Sequence, residues 1–323
     1  MVSKCLVNRL RPLLQEIIAP NQSAFIPGRL ITDNALIAFE CIDCIQKSTD
    51  EKGKFCAYKL DLAKAYDRVD WKYLEESLHK LGFAGQWISW IMSCFKTVTY
   101  SVRLNGELLE TFTPTRGLRQ GDHLSPYLFL FVAEGLSRLL QREIDAGQIK
   151  ELKVCRRSPG ISHLLFADDS LLFFEGSADQ ANKVKTVLNS YEAATGQLLS
   201  PGKCSLLLGN RCSNETGQMV AAILGIQTVG FDEKYLGLPV LEGRMKDGKF
   251  QPVKEKAKKR LIDYAEKYSS SGAKEVLIKS VVQSITTYPM SVFKFSVGLC
   301  EDLMKLTRDS WWGMKMTGDK FIG

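Results

Sequence analysis

Apolar residues along this chain recur in two ways, three and four apart or in short unbroken runs, and the two patterns predict different elements. Leu6, Leu10, Leu13, Leu14 and Ile17 predict a first helix over Val2 to Ile18, kinked near Pro12 and ended by Pro20. A loop through Pro27-Gly28 leads to a second helix, Thr32 to Lys47, and Ser48 to Gly53 is a polar turn. Asp70 is placed to cap a helix reaching His79 or Lys80, closed by Leu81-Gly82, and another helix spans Ala84 to Cys94. The longest helix covers Ser125 to Asp145, and a later one starts at Ser177 or Asp179 and runs to Ala194, where Gly196 stops it. Short apolar runs predict strands: one from Phe55 that ends at Asp61, one over Cys204 to Leu208, and two within 162–174 that flank an acidic tip. Val98 to Leu104 and Leu108 to Phe112, joined by Asn105-Gly106, predict a second hairpin with a scaffold role. Behind about Arg244 the pattern is helical, through Lys274 to Ser284 and Leu299 to Trp312. Strands separated by helices make the fold class α+β.

Composition narrows the setting. A chain of 323 residues that is 45% hydrophobic has enough apolar surface for two or three packed subdomains. Its formal charge of +7 suits a polyanionic partner without demanding one. Nine scattered cysteines show no disulfide or zinc spacing, and the single C-x-x-C at Cys41 and Cys44 lies inside a helical pattern. Reduced thiols point to an intracellular protein, in nucleus or cytoplasm and not secreted. The longest apolar region, Leu124 to Leu140, is broken by Pro126, Glu134 and Arg138, so no membrane span is expected.

Candidate chemistry lies in the acidic tip, Phe166-Ala167-Asp168-Asp169. Two adjacent carboxylates repel and raise each other's pKa, which is tolerable when a divalent cation supplies the missing positive charge. The plain alternative is a turn whose Asp residues face water. A second strand ending in a carboxylate, Asp61, favours the cation reading, because two such ends on one sheet give the oxygen ligands hard cations prefer. A pair of cations can clamp the attacking and leaving oxygens of an in-line phosphoryl transfer.

Taken together, Leu60-Asp61-Leu62-Ala63-Lys64-Ala65-Tyr66-Asp67, Arg116-Gly117-Leu118-Arg119-Gln120-Gly121-Asp122 and Phe166-Ala167-Asp168-Asp169 resemble the palm of reverse transcriptases. The likeness is to the RNA-directed DNA polymerase of plant LINE-type, non-LTR retrotransposons. Asn21 to Arg29 with Ile31-Thr32-Asp33-Asn34 resemble that family's segment ahead of the palm, and Tyr235 to Pro239 and Gly272 to Ser280 its segments behind it. The resemblance implies a right-hand polymerase: partial fingers over 1–54, an antiparallel palm over 55–243, and a helical thumb with the start of a connection over 244–323. It also implies an N-terminal truncation, with further fingers sequence upstream of Ser3.

The family's roles carry over residue by residue. Asp61 and Asp168 would bridge two Mg2+ ions, with Mn2+ as the substitute, and Asp169 would support them. Tyr66 matches an aromatic gate against a ribose 2′-hydroxyl; the plain alternative is a core aromatic beside Ala65. Gln120 and Gly121 match a nucleotide-contacting pair, Lys203 a lysine that protonates leaving pyrophosphate, and Arg29 a contact to template or nucleotide phosphate. Lys254, Lys256, Lys258, Lys259 and Arg260 crowd one segment and suit a duplex phosphate rail, or else a solvated helix face. The implied partners are an RNA template, a DNA primer and dNTP, with no membrane; oligomeric state is left open. His123 stands where the family commonly has Pro, Ser200 where it has Asn, and Thr286 where it has Pro. Two other functions stay in view: a catalytically silent nucleic-acid-binding remnant, and a metal-dependent phosphohydrolase that would leave the segments at 21–29, 116–126 and 235–239 without a purpose.

Overall fold

The computed structural model describes residues 2–226, 234–240, 247–265 and 270–312. The chain divides into two compact units, Met1–Asp232 and Glu233–Gly323. The expected boundary at 243/244 lies outside the described residues.

The first unit is built on a four-stranded antiparallel sheet of β1 (Phe55–Leu60), β4 (His163–Phe166), β5 (Asp169–Glu175) and β6 (Ser205–Leu208), in the order β4-β5-β1-β6. Side chains alternate across these strands. Cys56, Tyr58, Leu60, Leu172, Phe174 and Leu206 join the main core, together with residues of α6 (Ser125–Asp145) and α7 (Ala178–Thr195). Ala57, Leu171 and Phe173 are as deeply buried, although they alternate with those residues. Burial on both faces explains why these strands read as continuous apolar runs and not as alternation.

Helix starts and stops follow local chemistry. The first helical stretch is α1 (Val2–Leu10), a 3-10 turn at Arg11–Leu13 and α2 (Leu14–Ile17), so the break falls at Pro12 as its missing N–H requires. Helix α3 (Ile31–Lys47) packs against β1 and β4. Asp70 caps α4 (Trp71–Lys80), its carboxylate accepting from the Tyr73 amide at 2.8 Å. Helix α5 (Gly85–Lys96) follows. Of the two candidates for the α7 cap it is the Ser177 hydroxyl that accepts, from the Gln180 amide, and Gly196 closes the helix at φ +75°.

Three features depart from expectation. The second hairpin shrinks to β2 (Arg103–Leu104) and β3 (Glu107–Leu108) plus one bridge between Tyr100 and Phe112, because its apolar residues have nothing to pack on. Helix α8 (Asn214–Leu224), capped by Ser213 and closed by Gly225, was not anticipated. Asn21 to Ser23 pair alongside β4 in parallel, a contact that no pattern in either segment announces.

The second unit holds a two-stranded piece, β7 (Lys234–Tyr235) with β8 (Leu238–Pro239), and helices α9 (Gln251–Ala265), α10 (Ser271–Leu277), α11 (Ser284–Val292) and α12 (Val297–Trp312). A π-helical turn at Ile278–Gln283 joins α10 to α11, so the expected helix over Lys274 to Ser284 is the middle of a longer run. Among the described residues no helix is long and apolar enough to cross a membrane.

Candidate active site

Strand register places the carboxylates. Leu60 stands opposite Ser170, so one further step along β1 sets Asp61 opposite Asp169. Phe166 pairs with Asp169, which leaves Ala167 and Asp168 as the two-residue turn of the β4–β5 hairpin. Asp61, Asp168 and Asp169 therefore share one end of one sheet. Asp168 is exposed there, while Asp61 and Asp169 are half-buried. This donor set has the hard-oxygen chemistry that divalent cations take. Among the described residues, though, no group of three or more His, Cys, Asp or Glu side chains stands close enough to hold an ion.

Hydrogen bonds hold the backbone of Asp61 and of Ala167, the residue before Asp168. The Asp61 carbonyl accepts from the Ser200 amide at 2.8 Å, and its own amide donates to the Cys204 sulfur at 3.4 Å. Lys203 sits in the exposed turn that makes these bonds, its amide donating to the Ser200 carbonyl at 2.9 Å. On the other side, the buried Gln22 side-chain oxygen accepts from the Ala167 amide at 3.0 Å.

Tyr66 lies on the loop that follows β1, its ring stacked on Phe129 of α6 at 4.9 Å between centroids. Burial first, and the Asp168 carboxylate second, push the phenol up to about 12, so it keeps its proton. The ring is thus half in the core and half at the carboxylate end, between the two sequence readings. Buried Gln197 donates to the Ala65 carbonyl at 2.9 Å, and Arg68 Nε to the Gly196 carbonyl at 3.0 Å, fixing this loop against the end of α7.

The loop of Gln120 and Gly121 is tied to the same segment. The Gly117 amide donates to the Val69 carbonyl and the Leu118 amide to the Tyr66 carbonyl, both at 2.8 Å, while Trp71 Nε1 donates to the Gly117 carbonyl. Gly117 has φ +87°, and a Cβ there would come 2.7 Å from the Asp67 carbonyl oxygen, so only glycine permits this approach. Beside it is a cleft of about 280 Å³ lined by Asp67, Trp71, Arg116, Arg119 and Gln120 among others. Gln120 and Gly121 themselves are exposed.

Arg29 has a different setting from the one its motif suggested. Its guanidinium donates to the carbonyls of Ala19 and Gln22 at 2.6 Å and of Ile18 at 2.9 Å, tying the end of α2 to the following loop. Burial lowers its pKa, with Glu134 opposing that shift. The basic residues of α9 divide as well. Lys254 forms an ion pair with Asp302 of α12, whereas Lys256, Lys259 and Arg260 are exposed at helical spacing opposite buried Ala257 and Leu261; Lys258 is half-buried.

Gln22, Gln197 and Trp71 are the residues that hold this site together and that sequence reasoning gave no task. Gln22 and Asn34 lay in segments singled out by resemblance, which was the available signal. Nothing in the spacing of Gln197 or Trp71 pointed to them.

The chain is 29% identical over 211 residues to an uncharacterized 149 kDa protein of transposon TX1 from Xenopus laevis, covering 64% of this chain and 15% of that protein. It is 31% identical over 157 residues to a retrovirus-related Pol polyprotein from the retrotransposable element R2DM of Drosophila melanogaster, covering 48% and 14%. A 67-residue stretch, 21% of the chain, is 51% identical to an uncharacterized mitochondrial protein of Arabidopsis thaliana, of which it covers 55%. The match thus spans only a fraction of each relative's length. Among solved structures, telomerase from Candida albicans aligns with 97% of the chain and 52% of its own at a TM-score of 0.49 and 13% identity. The family model described as reverse transcriptase (RNA-dependent DNA polymerase) matches residues 1–240, a span that holds the whole carboxylate end of the sheet, and the chain belongs to the reverse transcriptase family.

Proposed function

We propose that this chain is the RNA-directed DNA polymerase domain of a plant LINE-type, non-LTR retrotransposon, transferring a nucleotide from dNTP to a primer 3′-hydroxyl on an RNA template. The observation that carries this reading is the β1–β5 register, which ends with Leu60 opposite Ser170 and so brings Asp61 to the end of the sheet where Asp168 forms the turn and Asp169 begins β5. Reverse transcriptases use divalent metals, and here Asp61, Asp168 and Asp169 would hold two Mg2+ ions, or Mn2+. When bound, such ions neutralise triphosphate charge and make the primer hydroxyl a better nucleophile.

The remaining roles are part of the same proposal. Tyr66, stacked on Phe129 and near enough to Asp168 to feel its charge, would exclude a ribose 2′-hydroxyl. Gln120 and Gly121, on a loop bonded to the Tyr66 segment, contact the incoming nucleotide. Lys203, one turn from Asp61, delivers a proton to leaving pyrophosphate. Lys256, Lys259 and Arg260 form the exposed part of a phosphate rail on α9, with Lys254 and Lys258 beside them. In this reading residues 1–54 belong to the fingers, 55–243 to the palm and 244–323 to the thumb and the start of a connection. Membership of the reverse transcriptase family favours this reading over a silent nucleic-acid-binding remnant.

The test is extension of a DNA primer on an RNA template with Mg2+, wild type against Asp168→Asn. Incorporation by the wild type alone supports the reading; none by the wild type removes the activity and leaves the family.

A further inference from the structure

We propose that Gln22 is a positioning residue for the Asp168 turn, its buried carboxamide holding the Ala167 peptide and so setting where the Asp168 carboxylate stands. The catalytic part of this inference rests on the polymerase reading; the backbone part does not.

Ala167 has φ +56°, in the left-handed region that costs an L-residue roughly 1–2 kcal/mol. Such a conformation persists where surrounding bonds over-determine it. Here the bond is the Gln22 side-chain oxygen, which accepts from the Ala167 amide at 3.0 Å and from the Ala24 amide at 2.9 Å. The turn has only two residues, so fixing the first peptide orients the second. Gln22 is 1% exposed, and its Nε2 has no hydrogen-bond partner among the described residues. A buried donor left unpaired is destabilising, because it gives up its hydrogen bonds to water and gains none. Selection for stability alone would remove that cost, whereas a need for the oxygen explains why it is borne.

The platform beneath Gln22 is rigid. The Leu165 amide donates to the Asn21 carbonyl at 2.8 Å, the Ser23 amide to the Leu165 carbonyl at 3.0 Å, and Asn21 Nδ2 to the His163 carbonyl at 2.9 Å. From the other side Arg29 donates to the Gln22 carbonyl at 2.6 Å. A carboxamide on such a base transmits its position to the turn.

Three variants in the full chain test this. Gln22→Leu keeps the volume and removes the acceptor. Gln22→Glu keeps the acceptor. Asn34→Ala removes a different brace on the same strand, the Asn34 Nδ2 bond to the Leu165 carbonyl at 3.0 Å. In Gln22→Leu, amide hydrogen exchange at Ala167 should accelerate at least about tenfold, the effect of losing a bond of roughly 1.4 kcal/mol. In primer extension, kcat should fall about 10–100-fold with KM for dNTP unchanged, the scale seen when an outer support is lost. Gln22→Glu should restore most of both, and Asn34→Ala should lower the melting temperature while kcat stays within about twofold. If Gln22→Leu does not fold, Gln22→Asn replaces it, its carboxamide one methylene too short to reach Ala167. Unchanged exchange at Ala167 in the acceptor-removing variant overturns the proposal, and so does an equal kcat loss in Asn34→Ala. If the wild type extends no primer, the polymerase reading fails, and the exchange measurement alone decides whether Gln22 holds the turn.

Discussion

Two hairpins in this chain announce themselves by their turns, and they end up opposite in quality. The β2–β3 hairpin has the favoured Asn105-Gly106 pair, with φ of +49° and +94° as a type I′ turn requires, yet its strands are two residues each and wholly exposed. The β4–β5 hairpin turns on Ala167-Asp168, with a non-glycine residue in the left-handed region, yet its strands run four and seven residues and are buried on both faces. Good turn chemistry marks a corner, but burial is what makes a strand. The less comfortable turn is also the one that carries the carboxylate, so conformational cost sits where function needs a side chain held in place.

That contrast can be broken in four ways. If Asp168 is a metal ligand as proposed, Asp168→Asn should cut primer extension roughly a hundredfold or more while leaving the melting temperature unchanged, since the residue is exposed. Phe173→Ala, deleting a fully buried ring from β5, should destabilise the first unit by about 3–5 kcal/mol in denaturant unfolding.

The third concerns His163 of β4. It is fully buried, its ring between the hydroxyls of Ser137 at 2.7 Å and Ser162 at 2.8 Å, and burial pulls its pKa down from 6.5 to about 4. The unfolded chain therefore binds a proton that the folded one refuses. Stability from this group is complete above about pH 6.5 and is lost progressively as pH falls toward 4, by roughly 3 kcal/mol. His163→Gln should flatten that part of a melting-temperature against pH profile, and an unchanged slope would count against a neutral buried ring. The smallest effect belongs to the other hairpin: Leu108, 72% exposed, should tolerate Leu108→Ser within about 0.5 kcal/mol. A large loss there would mean that the hairpin is packed on something.

What was legible in the sequence was whatever depends on a segment's own pattern. The end of β1 just before Asp61, the break at Pro12, the Asp70 cap and the full length of α6 all follow from periodicity and local chemistry. Helix α8 had its signals too, a Ser213 cap and Gly225 stop around an apolar stretch, and was passed over. Pairing partners were not legible. Sheet order β4-β5-β1-β6 and the parallel run of Asn21 to Ser23 along β4 depend on what each segment meets, and no residue encodes that alone. Arg29 shows the limit for the site. A cation in a polymerase motif suggests phosphate, but here its guanidinium donates to four backbone carbonyls in and just after α2. Tying the Gln120 loop to the Tyr66 segment, and the Lys203 turn to Asp61, took tertiary hydrogen bonds that no single segment encodes.

Gly117 carries a consequence for how such a domain can be altered. Because its backbone lies against Asp67 and its neighbours bond to Val69 and Tyr66, two stretches about fifty positions apart in the chain share one hydrogen-bonded surface. Neither can be exchanged for a homologous loop by itself. A chimera that imports residues 116–121 without their partner at 66–71 would bring mismatched halves together, so the two stretches should be exchanged only as a matched pair.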